Sequence, residues 1–216
     1  MSETRDRDYM KRLEHEQEKH ASRVCRSDLT PFKDGLVTGV DVAYSDALAL
    51  ACGVTVDIVD RQVIETRYHL EEVSAPYIPG LFQLREGPPL IHLLEEWKPD
   101  GPVLIDGNGV LHPRRFGLAC FVGLELGIQT IGVAKRLLIG SLGNRMADRA
   151  YVLDGDEVIG AALWIGEKTR PVYVSIGHGV SLATAVDIVR QSAWDGRVQP
   201  LHQAHLMAKQ RLRELL

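Results

Sequence analysis

The chain has 216 residues, 45% of them apolar and 25% charged, a composition that suits one globular domain with a sizeable core. It contains 29 acidic and 25 basic side chains, for a formal net charge of −4, so composition alone weighs against a nucleic-acid partner. Any contact with phosphates has to come from a local basic strip.

Cys25, Cys52 and Cys120 share no close spacing, and the last two sit in apolar runs. They read as buried free thiols in a reducing cytosol rather than as a disulfide framework or a zinc site. The charged amino terminus, residues 1–8, lacks the apolar stretch of a signal peptide. No run reaches the ~20 apolar residues of a membrane span. A cytoplasmic protein with no membrane partner is the expectation.

In chain order, residues 8–25 read as a charged helix with apolar positions only at Tyr9, Met10, Leu13, Ala21 and Val24. That sparse stripe suits a helix lying on the surface of a larger body. Residues 1–35 are therefore an N-terminal helical segment and 36–216 the core of a single domain. Three β-rich runs follow, at 36–44, 48–59 and 62–69, with Asp60-Arg61 short enough for a hairpin turn between the last two. Three consecutive antiparallel strands are expected.

Beyond the stiff segment Pro76-Tyr77-Ile78-Pro79-Gly80 come two helical pieces, 81–86 and 90–97, with Pro88-Pro89 opening the second. Val103-Leu104-Ile105 is an apolar run of the buried-strand kind, 113–127 reads as a helix and 130–134 as another buried strand. Residues 151–153, 158–165 and 171–176 are further strands, and 181–193 and 202–216 are amphipathic helices. Strands paired as hairpins and then alternating with helices predict an α/β domain with a mixed β-sheet flanked by helices.

A few residues break these patterns in ways that could carry chemistry. Asp41 interrupts a strand of valines, and a carboxylate there must be paired or bound to a metal. Asp106 follows a buried strand directly, at the carboxyl end where α/β sheets gather ligands, although Asp106-Gly107-Asn108-Gly109 is also an ideal turn. Lys135 puts an ammonium at the end of the strand 130–134, an unusual place for lysine. Glu86 and His205 are, by themselves, an ordinary helix-end glutamate and an ordinary helical histidine. Gly177-His178-Gly179 precedes Ser181, a good N-cap; exposed amides at such a start can hold a phosphate, though a plain glycine turn is the simpler account.

Taken in order, several segments resemble the endonuclease V family over about residues 36–206. They are Val40-Asp41-Val42, Pro76-Tyr77-Ile78-Pro79-Gly80, Phe82-Gln83-Leu84-Arg85-Glu86-Gly87-Pro88, and Asp106-Gly107-Asn108-Gly109 with His112-Pro113-Arg114. Phe116-Gly117-Leu118-Ala119, Ile131-Gly132-Val133-Ala134-Lys135 and Pro171-Val172-Tyr173-Val174-Ser175 running into Gly177-His178 complete the set.

The resemblance implies a ribonuclease H-like fold and a Mg²⁺ site made by Asp41, Glu86 and Asp106 with His205, Mn²⁺ being able to substitute. It implies that Lys135 stabilises charge on a phosphate or positions water, and that Tyr77, held between Pro76 and Pro79 beside Ile78, acts as a strand-separating wedge. Inosine in DNA would be extruded into a pocket read by backbone amides near Gly80 and Gly107, with Asn108, His112, Gly177 and His178 as further substrate contacts. The cut would fall at the second phosphodiester bond 3′ to the lesion, made by a monomer. Arg85, Arg114, Arg115, Arg136 and Lys168 are the candidates for the basic strip, Lys168 being more simply a solvated charge.

Two positions depart from the family pattern. Asn108 stands where bacterial relatives often carry His, in a word that also occurs in eukaryotic relatives directed to inosine in RNA. DNA is the expected partner because the chain is compact, with inosine-containing RNA as the alternative. His202 stands where many relatives place Arg, which implies a changed contact just outside the metal site. The rivals from other classes are a non-catalytic nucleic-acid module, a structure-selective Mg²⁺ nuclease and a small-molecule phosphohydrolase.

Overall fold

The computed structural model describes residues 2–33, 35–73, 81, 83–167 and 170–216. Helix α1 (Ser2–Ala21) is followed by an antiparallel meander of β1 (Leu36–Tyr44), β2 (Leu48–Asp57) and β3 (Gln62–Glu72). Next come α2 (Gln83–Trp97), β4 (Val103–Asp106), α3 (Leu118–Leu126) and β5 (Thr130–Ala134). The strands β6 (Ser141–Leu142), β7 (Arg149–Asp154), β8 (Glu157–Leu163) and β9 (Val172–His178) precede α4 (Leu182–Gln191). A two-residue pair, β10 (Ala193–Trp194) and β11 (Arg197–Val198), leads into α5 (Gln199–Leu215).

The main sheet has the order β3-β2-β1-β4-β5-β9-β8-β7-β6. Only β1–β4 and β4–β5 are parallel among its pairs. This is the expected ribonuclease H-like mixed α/β sheet. No helix among the described residues is long and apolar enough to cross a membrane.

Alternation in β1 and β2 fixes which helix covers which face. Val40 and Ala51 pack with Leu90, Leu93 and Leu94 of α2 and with Leu118, Ala119 and Val122 of α3. Their neighbours Ala43, Leu50, Cys52 and Val54 pack instead on Ala204, Ala208 and Leu212 of α5. The sheet is thus sandwiched near its middle, and its central strands end where the helices leave room. Cys52 and Cys120 are buried free thiols, and burial pushes both up to about 12, so neither is a nucleophile at neutral pH.

Four boundaries differ from expectation for identifiable reasons. The turn after β2 spans residues 58–61, because Asp57 Oδ1 accepts from the amides of Val59 and Asp60 and Ile58 turns inward. The helix expected from residue 113 begins at Leu118. Before it, Val110 donates to the Ile176 carbonyl and Phe116 is buried, which holds 107–117 as a loop. Helix α1 reaches back to Ser2 and ends at Ala21, docking through Gln17, whose amide donates to the Phe116 carbonyl and accepts from Arg114.

The fourth difference is that α2 is one helix running through Pro88 and Pro89. Pro89 has no N–H to give the Arg85 carbonyl four residues back. The Tyr44 hydroxyl donates to that carbonyl instead, at 3.2 Å, and so supplies the missing donor.

Candidate active site

Asp41 lies on the α5 face of β1 with its side chain only 16% exposed. Gly39, two residues earlier, makes the approach of α5 possible: a Cβ there would stand 2.2 Å from the Pro200 carbonyl carbon. The five steps along α5 from Pro200 to His205 rise about 7.5 Å, close to the ~6.6 Å of strand between Gly39 and Asp41. The two elements therefore stay in step, and His205 Nδ1 lies 2.6 Å from Asp41 Oδ2.

Asp106 ends β4 beside β1, and its register partner Val133 lies two residues before Lys135. Lys135 leaves the sheet just past β5 and donates from Nζ to Asp106 Oδ2 at 2.5 Å. Its side chain is 73% exposed, so the ammonium sits at the mouth of the site and avoids the cost of burial. Glu86, in the first turn of α2, completes the group. Burial, reinforced by the charges of Asp41 and Asp106, pushes its carboxyl up to about 8. Asp41 is also raised, first by burial and then by Asp106, against the lowering influence of His205.

Asp41, Glu86 and Asp106 feel one another's charge, with Lys135 on Asp106 and His205 on Asp41, and hard oxygen donors of this kind are the chemistry that a divalent cation such as Mg²⁺ takes. Next to them opens a cavity of about 580 Å³, whose lining includes Asp106, Lys135, Arg197, His202, His205 and Leu206. His202, the position of the family departure, thus shares the cleft with His205 on the same helix.

Of the residues expected to touch substrate, Arg85 lies beside Glu86, its guanidinium 4.3 Å from the centre of the Tyr44 ring. Tyr44 is a site residue that sequence reasoning missed. An aromatic at the end of an otherwise aliphatic strand was its only signal. Burial and the neighbouring Glu86 hold its hydroxyl well above the ordinary phenol range, so it remains a donor to α2. Asn108 follows Asp106 closely, and among the described residues its Oδ1 is buried with no hydrogen-bond partner.

Gly107 directly follows Asp106, whereas the remaining expected contacts are held elsewhere in the fold. The Gly107 amide donates to the Val133 carbonyl at 3.1 Å, so it is already engaged and does not present itself to a base edge. His112 is buried in the 107–117 loop, with Nδ1 accepting from the Arg114 amide. Gly177 and His178 lie at the far end of the sheet: His178 pairs with Thr130 at the start of β5, whereas Lys135 follows its end. His178 is buried, and its Nδ1 accepts from the Cys25 amide. Ser181 is the N-cap of α4 as expected, and its own amide donates to Asp28.

Arg114 is tied to Glu14 and Gln17, and Arg115 to Asp154 and Glu157, which leaves Arg85 and exposed Arg136 from the expected basic strip. Pro76, Tyr77, Ile78, Pro79, Gly80 and Lys168 lie outside the described residues.

A ribonuclease H-like sheet with acids gathered where β4 ends beside Asp41 of β1 is an arrangement suited to metal-assisted phosphodiester cleavage. Comparison with known proteins narrows this. The family model for endonuclease V matches residues 18–206. The endonuclease V of Thermofilum pendens is 41% identical over 191 residues, covering 87% of this chain and 82% of that protein.

Among solved structures, the endonuclease V of Streptomyces avermitilis superposes with a TM-score of 0.86 at 34% identity, covering 95% and 93% of the two chains. The Ciona intestinalis endonuclease V, in complex with a 24mer DNA containing an inosine followed by a ribo-adenosine, gives 0.85 at 26% identity over 97% of this chain and all (100%) of that one. The chain belongs to the endonuclease V family and is a nuclease.

Proposed function

We propose that this protein is a cytoplasmic, monomeric endonuclease that recognises inosine in DNA and hydrolyses the second phosphodiester bond 3′ to it, initiating repair. The observation that carries the reading is the convergence of Asp41, Glu86 and Asp106, drawn from three separate elements, next to Lys135 and His205. The inosine-containing DNA bound by the Ciona relative supports the substrate class.

Asp41, Glu86 and Asp106 would hold Mg²⁺, with Mn²⁺ as a substitute, and His205 completes the group. When bound, the ion supplies charge that acidifies water and stabilises the oxygens of the phosphate under attack. The side chains have their own tasks. His205 orients Asp41 through the 2.6 Å contact, so that the carboxylate keeps one direction in the cleft. Lys135 neutralises Asp106 and, being mostly exposed, can turn its ammonium to a non-bridging phosphate oxygen as negative charge develops there. Arg85, stacked on Tyr44, is a fixed cation for a neighbouring phosphate. Tyr77 serves as the wedge, and Asn108, with its unmet acceptor, as a polar contact to the extruded nucleotide.

A second reading, the same chemistry on inosine-containing RNA, is favoured by the ribo-adenosine that follows the inosine in the Ciona complex. Matched DNA and RNA oligonucleotides with one inosine, incubated in Mg²⁺ with and without EDTA, test both. An EDTA-sensitive cut one bond beyond the nucleotide 3′ to inosine is expected, faster on DNA. A faster cut in RNA would transfer the assignment to that substrate. Binding without cleavage of either would replace it with a non-catalytic module, and equal cutting of mismatches or flaps without inosine would replace it with a structure-selective nuclease.

A further inference from the structure

The edge strand β3 and helix α2 meet along a polar seam. His69 and Glu71 are two residues apart on β3 and project to one side. Their partners across the sheet are Ala51 and Ala49, and Ala51 packs under Leu90, Leu93 and Leu94 of α2. Those leucines seat the helix, and His92 and Glu96, four residues apart on one of its faces, come down beside the strand.

Glu71 Oε2 lies 2.6 Å from His92 Nδ1 and 3.2 Å from His69 Nε2. One ligand atom from each of the three residues falls within 4.8 Å of the other two. The two imidazoles, 5.3 Å apart and inclined by 51°, flank the carboxylate rather than stacking flat on each other. Glu96 Oε2 stands 3.8 Å from His69 Nδ1, the ring nitrogen that does not face Glu71.

We propose that His69, Glu71 and His92 form a second metal site, for a zinc-class transition ion, that pins α2 to β3. A tetrahedral ion with bonds of about 2.0–2.2 Å holds its ligands about 3.3–3.5 Å apart, so the 2.6 Å pair has to open and the three donors, all within 4.8 Å of one another, settle around it. Two imidazole nitrogens and one carboxylate suit Zn²⁺ and its neighbours. Mg²⁺ prefers oxygen, so this site and the all-oxygen cluster of Asp41, Glu86 and Asp106 select different ions.

Solvent supplies the fourth ligand, since the His92 side chain is 51% exposed. Glu96 is a positioning residue: its carboxylate, 3.8 Å from His69 Nδ1, draws the ring proton to that nitrogen and so favours the tautomer whose Nε2 lone pair is available to the ion.

The consequence reaches the nuclease site through the backbone. Helix α2 carries Arg85 and Glu86 in its first turn, and residues 73–82 join the end of β3 to the start of α2. An ion bridging His69, Glu71 and His92 fastens together the two elements on either side of that segment. The far end of the same seam is already closed without a metal, by Trp97 Nε1 donating to Glu65 Oε2 at 2.8 Å.

The test uses the full chain carrying Asp41→Asn and Asp106→Asn, stripped of metal and titrated with Zn²⁺ against a chromophoric chelator. One equivalent of Zn²⁺ is expected to bind with the carboxylate cluster disabled. His92→Ala should abolish that equivalent, and Glu96→Gln should weaken it about 10–100-fold. Saturating Zn²⁺ should raise the melting temperature by about 5 °C in the parent and not in His92→Ala. Co²⁺ in the same protein should give the visible bands of a four-coordinate ion, lost with His92→Ala. Circular dichroism confirms that His92→Ala, a change at a half-exposed position, is folded. No Zn²⁺ bound to the parent, or equal binding by folded His92→Ala, overturns the proposal.

Discussion

The two ends of β5 differ in what is left unfinished. At its start the polar groups are paired. His178 Nδ1 accepts from Cys25, the Gly179 carbonyl accepts from Leu29 and Gln129, and Asp28 takes the Ser181 amide and the Thr184 hydroxyl. At its other end Lys135 stands in solvent, two carboxyls are raised above their ordinary range, and a cavity opens beside them. Both ends carry family-like words, one built around Gly177-His178 and one around Asp106 and Lys135. Burial and pairing make the first a structural lock. Crowded acids beside an exposed ammonium make the second the end that suits the cation and phosphate proposed for it.

The largest expected effect breaks the charged end. Asp41→Ala or Asp106→Ala should lower cleavage of inosine-containing DNA at least 10³-fold, about 4 kcal/mol of transition-state stabilisation, while leaving inosine binding in place. Single-turnover cleavage alongside a gel-shift titration reads both quantities. Full Mg²⁺-dependent activity in either variant would remove the acidic cluster from the reaction.

Much of this contrast was legible in the residues, and what was hidden had physical reasons. Asp41 and Asp106 stand out because each interrupts or ends an apolar strand, where a bare charge is expensive. Glu86 and His205 have no such local signature. Only the resemblance singled them out, because their meaning depends on α2 and α5 converging from residues 86 and 205 onto one strand end.

The continuity of α2 through Pro88-Pro89 was hidden because the replacement donor, Tyr44, lies 45 residues before Pro89 in the chain. The loop 107–117 looked helical from residue 113 on, since local propensity carries no information about the pairing of Val110 with Ile176. The pairs β6, β10 and β11 have two residues each, too few for a period to show. The His69, Glu71 and His92 group is spread over 24 positions on two elements, at no spacing that a linear reading recognises.

The second effect sharpens the contrast through stability. In the metal-free protein Glu86 titrates near 8 rather than at its ordinary 4.5. Between those values the unfolded chain has lost this proton and the folded chain keeps it, so the folded state binds more protons and stability falls as pH rises through the window. Glu86→Gln removes that slope. It should be more stable than the parent at pH 8 in chelator, by a few kcal/mol at most, and closest to it near pH 4.5, while losing cleavage. Melting curves across pH 4.5–9 in EDTA check the sign. A parent that gains stability over this range relative to Glu86→Gln would mean that Glu86 is not held protonated by its neighbours.

The smallest effect belongs to the paired end and runs in the opposite direction with pH. Burial lowers His178 below its ordinary 6.5, so the unfolded chain takes up this proton before the folded chain does. The contribution of the neutral imidazole is therefore present above about 6.5 and is lost as pH falls through and below it. His178→Ala should cost about 1 kcal/mol at pH 8, mainly by leaving the Cys25 amide without its acceptor. At pH 5.5 the gap to the parent should narrow, because the parent alone carries the penalty for keeping that imidazole neutral. Urea unfolding at the two pH values measures this directly. A gap that widens in acid would require a protonated, charge-paired His178, and with it a binding role for an end of the sheet whose hydrogen bonds now read as structural.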